Sequence, residues 1–245
     1  SISEYDMEIP STLTVEEILI RSGNIGSIKI AQKVGLENFK DFLENLDLLN
    51  KIQFDIEEVG NPIPFKWGKC KLATSAYGHG ITTTPLQLAK AYAIIANGGY
   101  KIKPTLIKKE KNIKRGEQII TQENSNKINE ILRKIVTSEQ GTANLANIAG
   151  YEIAGKTGTA QKSIKGKYSK KKINTFASIF PISSPKYVLI VLLDEPKLSE
   201  TYIYEYNDGK KRKIIGTPFN TAGWTSVEVA KNIIEKIGPI LAIKY

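Results

Sequence analysis

Four consecutive residues, Lys156-Thr157-Gly158-Thr159, bring an ammonium, two hydroxyls and a bare backbone position together inside Tyr151 to Gln161, a stretch that reads as a β-strand. An ammonium beside two hydroxyls suits a carboxylate, because hydrogen bonds to an ionised group are roughly twice as strong as neutral ones. On a strand, successive side chains point to opposite faces. Lys156 and Gly158 are therefore expected on one face and Thr157 and Thr159 on the other, and all four share a cleft only if the strand twists or bulges. Three-residue matches arise by chance in chains of this length. An ordinary edge strand with a glycine would read the same way, so the motif gains meaning only from others in a fixed order.

Ser22-Gly23-Asn24 offers a hydroxyl and an amide at a break between helices, although Ser22 and Asn24 could also simply cap the helix that follows at Ile25. His79, the only histidine, lies between two glycines, and no nucleophile motif accompanies it, so a Ser-His-Asp triad finds no support. One cysteine and one histidine cannot assemble a transition-metal cluster, and no Walker or dinucleotide-binding glycine motif is present. Neither a metal nor a cofactor is expected. Cys70 stands alone, which excludes an internal disulfide.

The net charge of +10 comes mostly from lysine, with arginine only at 21, 115, 133 and 212. Nucleic-acid readers lean on the arginine fork, so no nucleic-acid partner is expected. The lysine-rich runs Lys108 to Arg115 and Lys162 to Lys172 read as solvated connections between elements. The longest apolar run, Tyr187 to Leu193, is far short of the roughly 20 residues of a membrane-spanning helix and reads as a buried strand.

Stepwise along the chain, Thr14-Val15-Glu16-Glu17 has the form of a capping box opening a short helix that ends near Arg21. Helical spacing resumes from Ile25 to Val34 and stops at Gly35; Leu36, Phe39, Phe42, Leu43 and Leu46 then mark one face of a third helix. Asp55 to Trp67 reads as a loop. Thr84-Pro85 starts a helix that runs to Asn97, whose few polar residues, Gln87, Lys90 and Asn97, fall near one stripe, so the remaining surface is expected to be buried. Tyr100 to Ile107 alternates like a strand, and a helix is expected from about Asn124 to Thr137. Strands follow at Tyr151 to Gln161, Thr175 to Phe180 and Tyr187 to Leu193, and a last helix carrying Val227, Ala230, Ile234 and Ile237 on one face should end at Gly238-Pro239. Helices before a run of strands make an α+β fold, with a helical half at about 11–98 and a mostly sheet half with a C-terminal helix at about 99–245.

Ser22-Gly23-Asn24, then Ala76-Tyr77-Gly78-His79-Gly80-Ile81 with Thr84-Pro85-Leu86-Gln87-Leu88-Ala89, then Ala154-Gly155-Lys156-Thr157-Gly158-Thr159-Ala160-Gln161 occur in an order and spacing that resemble the class B, monofunctional penicillin-binding proteins. The Gly-His-Gly-Ile form, Asp194-Glu195-Pro196-Lys197, and Thr221-Ala222-Gly223-Trp224 look closest to the septal, cell-division type. The resemblance covers nearly the whole chain from about Thr12. It implies the penicillin-binding/β-lactamase-like transpeptidase fold, an antiparallel sheet flanked by helices plus a helical half. The family's first motif, Ser-x-x-Lys, is expected about fifty residues before Ser22, upstream of Ser1. Ser169 to Lys172 and Ser183 to Lys186 fit that pattern by letter but follow the Lys-Thr-Gly strand, and both are taken as coincidences. The chain thus looks like a C-terminal part of a transpeptidase domain, lacking its N-terminal part and expected to be inactive alone.

What the resemblance implies for the site is specific. Ser22 and Lys156 would relay protons to the leaving amine, Asn24 would hold the substrate amide, and the Thr159 backbone N–H would give half of an oxyanion hole. Thr157, Gly158 and Thr159 would take the donor peptide and its terminal carboxylate, and Tyr77 and His79 would line the cleft. The family usually carries tyrosine where this chain has His79, which leaves that wall role open. Implied partners are peptidoglycan stem peptides ending in D-alanyl-D-alanine, β-lactams and other cell-division proteins, on the periplasmic face of the inner membrane, with contact to the membrane only through an upstream anchor. Alternatives within the same resemblance are an elongation-type transpeptidase, a catalytically silent penicillin-sensing or scaffold domain, and a β-lactamase.

Overall fold

Thr14 and Thr84 each start a helix by the same device. The Thr14 hydroxyl accepts from the Glu17 N–H at 3.2 Å while the Glu17 carboxylate takes the Thr14 N–H at 2.7 Å; Thr84 and Gln87 repeat the exchange at 3.2 and 2.8 Å. Each box satisfies donors that a helix start leaves without partners. The structure, a computed structural model, describes residues 2–56, 60–108, 115–164, 167–206 and 212–244. It divides into two units, Ser1–Asn129 and Glu130–Tyr245.

The first unit is helical: α1 (Val15–Ile20), α2 (Asn24–Val34), α3 (Leu36–Asn45), α4 (Lys69–Ala76) and α5 (Pro85–Ala96), followed by the start of α6 (Gln122–Thr137), in which the unit boundary falls. Its core gathers Leu46, Ala91, Ile94 and Ile120, with Leu48, Ile95, Ile102 and Ile119 packed around them. Helix α4 has no counterpart in the sequence reading. Its eight residues show no apolar period and bury only Leu72 and Ser75, and it is held by packing on α2. The alternating stretch Tyr100 to Ile107 is not a strand either. Tyr100 makes one isolated bridge to Gln118, and Asp55 holds the other end by accepting from the Thr105 hydroxyl and the Leu106 N–H, both at 2.6 Å. Most of Lys108 to Arg115 lies outside the described residues.

Helix α5 reverses the expected orientation. Two of its three polar residues face inward: Gln87 is fully buried and Lys90 nearly so, beside Ala91 and Ile94, while Asn97 at the end is exposed. The cause lies 40 residues away. The α3–α4 connection presents backbone carbonyls at Asp47 and Asn50, to which the Gln87 amide donates at 3.0 and 2.7 Å, and the Asp47 carboxylate pairs with Lys90. A buried polar group with partners costs little, whereas the same carbonyls without donors would be expensive.

The second unit is built on an antiparallel sheet in the order β1-β2-β3, from β1 (Ala154–Ile164), β2 (Lys167–Phe180) and β3 (Tyr187–Asp194). A two-stranded hairpin, β4 (Ile203–Tyr206) with β5 (Arg212–Ile215), follows, and α7 (Ser226–Lys244) packs on β2 and β3. Ile153, Phe176, Ile179, Val227 and Ile234 are fully buried in its core. The α+β class is as expected, but two details differ. Lys162 to Ile164 and Lys167 to Lys172 are strand rather than connection, because the pairing of β1 with β2 continues to Ile164 and Lys167; Lys162 reaches Asp194 at 2.7 Å and Glu195 at 2.8 Å, and Lys171 reaches Glu195 at 2.9 Å. Helix α7 passes through Gly238-Pro239 to Lys244, with Gly238 seated on the Tyr151 ring, where a Cβ would come within 2.0 Å. Among the described residues no helix is long and apolar enough to cross a membrane.

Gln87→Leu should keep the volume of α5 while leaving the Asp47 and Asn50 carbonyls without their donor. Urea unfolding should show a loss of about 1–3 kcal/mol, larger than for a substitution of exposed Asn97; an unchanged midpoint would show that water replaces the amide.

Candidate functional site

Strand β1 is an edge strand with β2 as its only strand neighbour among the described residues, and Lys156 to Thr159 occupy its middle. In the register, Thr157 lies opposite Phe176 and Thr159 opposite Asn174, whereas Lys156 lies opposite Ala177 and Gly158 opposite Thr175. Directly opposed residues share a face, so the hydroxyls stand on one side and Lys156 on the other. The ladder's irregularity comes later, between Gln161 and Ser163, and does not alter this arrangement.

Both hydroxyls are held from behind. Thr157 Oγ1 lies 2.6 Å from Thr142 Oγ1, and Thr159 Oγ1 accepts from the Ala222 N–H at 2.9 Å. Thr142 follows α6, and Ala222 opens a short 3₁₀ turn, Ala222–Trp224, before α7. Asn174 on β2 ties down the same region, donating to Thr225 Oγ1 at 2.8 Å and Asn220 Oδ1 at 2.9 Å. Lys156 Nζ donates to the Thr157 carbonyl at 3.0 Å, and burial lowers its pKa from 10.5 to about 8. Burial disfavours the charged ammonium, so the shift is downward.

The two glycines of the strand are in contrasting surroundings. A Cβ on Gly155 would sit 2.5 Å from the Ala177 carbonyl oxygen and 2.8 Å from the Phe176 ring, so the fold itself requires glycine there. At Gly158 the nearest atom would be Thr175 Cβ at 4.0 Å, and the space over that residue is open.

Ser22, Asn24, Tyr77 and His79 belong to the first unit. Ser22 follows the C-cap of α1 with φ of 57°, a left-handed conformation that non-glycine residues rarely adopt. It is not the cap of α2. That helix starts at Asn24, and its end is capped by Glu4, whose carboxylate accepts from the Asn24 N–H at 2.6 Å and the Ile25 N–H at 2.9 Å. The Asn24 side-chain amide donates to the Ser3 carbonyl at 3.0 Å. Tyr77 ends α4, and His79 stands two residues on between Gly78 and Gly80, with φ of 87° and 79°. The two rings are 4.9 Å apart, and burial lowers the His79 pKa against an opposing backbone hydrogen bond at Tyr77. Helices α2 and α4 pack on each other, so these groups hang from one helix pair. Of the two serines that match Ser-x-x-Lys by letter, Ser183 bonds the Glu152 carboxylate and Ser169 lies on β2. Among the described residues no cluster of His, Cys, Asp and Glu could hold a metal ion.

Residues 2–220 match the penicillin binding protein transpeptidase domain family. The chain belongs to that family. A probable peptidoglycan D,D-transpeptidase FtsI of Caulobacter vibrioides is 30% identical, over 96% of this chain and 39% of the relative. Stage V sporulation protein D of Bacillus subtilis is 31% identical over 75% of this chain and 30% of its own length. The chain therefore spans about two-fifths or less of these two proteins. Among solved structures, the transpeptidase domain of Burkholderia pseudomallei penicillin-binding protein 3 superposes with a TM-score of 0.74 at 25% identity, covering 92% of this chain and 65% of that one. Penicillin binding protein 3 of Mycobacterium tuberculosis gives 0.77 at 24%, covering 97% and 55%, and the same protein has been seen with aztreonam and with ampicillin. The fold is that of the penicillin-binding transpeptidases.

Sequence reading found the strand motif but neither Thr142 nor Glu4. Both act across 15 or more residues, and no local pattern marks them.

Two measurements check this description of β1. Below about pH 8 the folded state bears the whole cost of the buried Lys156 ammonium, and that cost is relieved as pH rises from about 8 to 10.5. Lys156→Met should therefore be more stable than the parent at pH 7, with the difference shrinking toward pH 10.5; a pH-independent difference in urea midpoint would refute the burial. Gly155→Ala should lower the melting temperature, while Gly158→Ala should leave it nearly unchanged. Equal effects would show that the open space over Gly158 is not real.

Proposed function

We propose that this chain supplies the Ser-x-Asn and Lys-Thr-Gly parts of a class B peptidoglycan D,D-transpeptidase that cross-links stem peptides at the division septum, on the periplasmic face of the inner membrane. The observation that carries the proposal is Lys156: an ammonium brought to a pKa of about 8 on an edge strand, followed by open backbone at Gly158. A group whose pKa lies near the working pH both gives and takes protons readily. The left-handed backbone at Ser22 adds support, since such conformations cost on the order of 1–3 kcal/mol and gather at functional sites.

The chemistry is acyl transfer. A serine oxygen attacks the carbonyl of the penultimate D-alanine, the C–N bond to the terminal D-alanine breaks, and the departing amine takes a proton. The amine of a neighbouring stem then attacks the acyl ester, loses a proton and releases the serine. Ser22 and Lys156 form the proton path to and from the two amines, and Asn24 orients the peptide amide. Strand β1, paired on one side, accepts the donor peptide along its other edge, the general mode of strand addition. The Thr159 N–H supports the oxyanion, and the Thr157 and Thr159 hydroxyls take the terminal carboxylate. Tyr77 and His79 form an aromatic wall. β-Lactams enter as mimics of the donor, and an anchor and other division proteins bring the domain to the septum.

The nucleophile belongs to a Ser-x-x-Lys motif, for which neither Ser169 nor Ser183 is suited, so the full-length gene product is the one to test. It should be labelled stoichiometrically by a fluorescent penicillin, and Lys156→Ala should slow labelling by about 100-fold or more without lowering the melting temperature. A variant labelled at the parental rate removes Lys156 from the mechanism; a parent that takes no label defeats the transpeptidase reading.

A further inference from the structure

No motif includes Thr142, yet it lies 2.6 Å, hydroxyl to hydroxyl, from Thr157. A hydroxyl has one proton and two acceptor positions. The Ala222 N–H can only donate, so Thr159 accepts from it and keeps its own proton for another partner. Between Thr142 and Thr157 either oxygen could be the donor. If Thr157 donates backward, it turns a lone pair outward, which repels an anion. If Thr142 donates, the Thr157 proton is left to point outward. A carboxylate bound at this strand favours the second arrangement.

Thr142 is firmly placed for that task. After α6 the Gly141 N–H donates to the Ser138 carbonyl at 2.9 Å, the Ala143 N–H to the Ile135 carbonyl at 3.2 Å, and the Asn144 amide to the Val136 carbonyl at 3.2 Å. Ala143 and Ala146, which follow it, are fully buried. The 3₁₀ turn that serves Thr159 through Ala222 also abuts Thr142: a Cβ on Gly223 would lie 2.7 Å from the Thr142 carbonyl oxygen. One turn thus backs both threonines of the strand.

We propose that Thr142 is a positioning residue for carboxylate recognition: its hydroxyl donates to Thr157 and turns the Thr157 proton toward the carboxylate of the donor peptide or of a β-lactam. The inference rests on the transpeptidase reading above. Thr142 touches no substrate, and its effect passes through Thr157 alone. It should therefore alter the binding of an acid while leaving an uncharged analogue unaffected.

The test uses the full-length gene product with benzylpenicillin and its methyl ester, which lacks the carboxylate, resolving the dissociation constant Kd from the acylation rate constant. The parent should favour the acid. Thr142→Val should weaken Kd for the acid about tenfold, the scale of one lost charge-assisted hydrogen bond, with the ester's Kd and the acylation rate constant little changed. Thr142→Ser should restore the acid, and the Thr142→Val, Thr157→Val pair should be little worse than Thr157→Val alone. A Thr142→Val protein that still favours the acid as the parent does, or that weakens acid and ester alike, overturns the positioning role only. If Thr142→Val does not fold, Thr157→Val decides: undiminished preference for the acid overturns the proposal, because there is then no proton for Thr142 to orient. A parent that acylates neither compound, or treats both alike, overturns the transpeptidase or carboxylate reading beneath it, and this proposal with it.

Discussion

Among the described residues strand β1 is paired on one side only, and the arrangement of the second unit follows from that condition. An edge strand exposes a row of peptide groups that most proteins cover or blunt. Here the pairing with β2 fixes the register, and the turn before α7 together with Thr142 holds the side chains of Thr157 and Thr159. The strand is therefore held in place on its inner side while Gly158 keeps the approach open. Gly155, three residues earlier, is consumed by packing against Phe176 and Ala177 and has no such latitude.

The two buried lysines show how surroundings decide what a charge does. Lys90 on α5 is matched by the Asp47 carboxylate and sits beside Gln87, which satisfies two backbone carbonyls, so the group serves to join α5 to the α3–α4 connection. Lys156 donates to a neutral carbonyl, and burial brings its pKa down to about 8. Matching with a carboxylate makes an ion pair for the fold; burial brings the ammonium's pKa down toward neutrality.

The Ser22 region depends on a contact between distant parts of the chain. The carboxylate of Glu4 caps α2 across 20 residues, which frees Ser22 and Asn24 from the capping task their residue types would suit. With the helix end already satisfied, Ser22 can occupy a left-handed backbone conformation instead of a capping one.

The sequence by itself determined the motifs and the elements with strong local signals. The capping box at Thr14, the helix start at Thr84-Pro85, the glycine stop at Gly35, the three strands and the α+β order follow from spacing and turn chemistry within a few residues, and the order of Ser22-Gly23-Asn24, the Gly78-His79-Gly80 region and Lys156-Thr157-Gly158 was enough to point to the family. Tertiary structure decided the rest. Helix α4 has too little apolar periodicity to announce itself, the apparent strand at Tyr100 to Ile107 finds only an isolated bridge to Gln118 among the described residues, and the described part of the lysine-rich run is strand because the β1–β2 pairing continues into it, where Lys162 and Lys171 meet Asp194 and Glu195. Gln87 faces inward because carbonyls 37 and 40 residues away need donors, and Thr157 is oriented by a hydroxyl 15 residues away. Those outcomes rest on partners that only folding brings within hydrogen-bonding distance, and a local pattern carries no record of them.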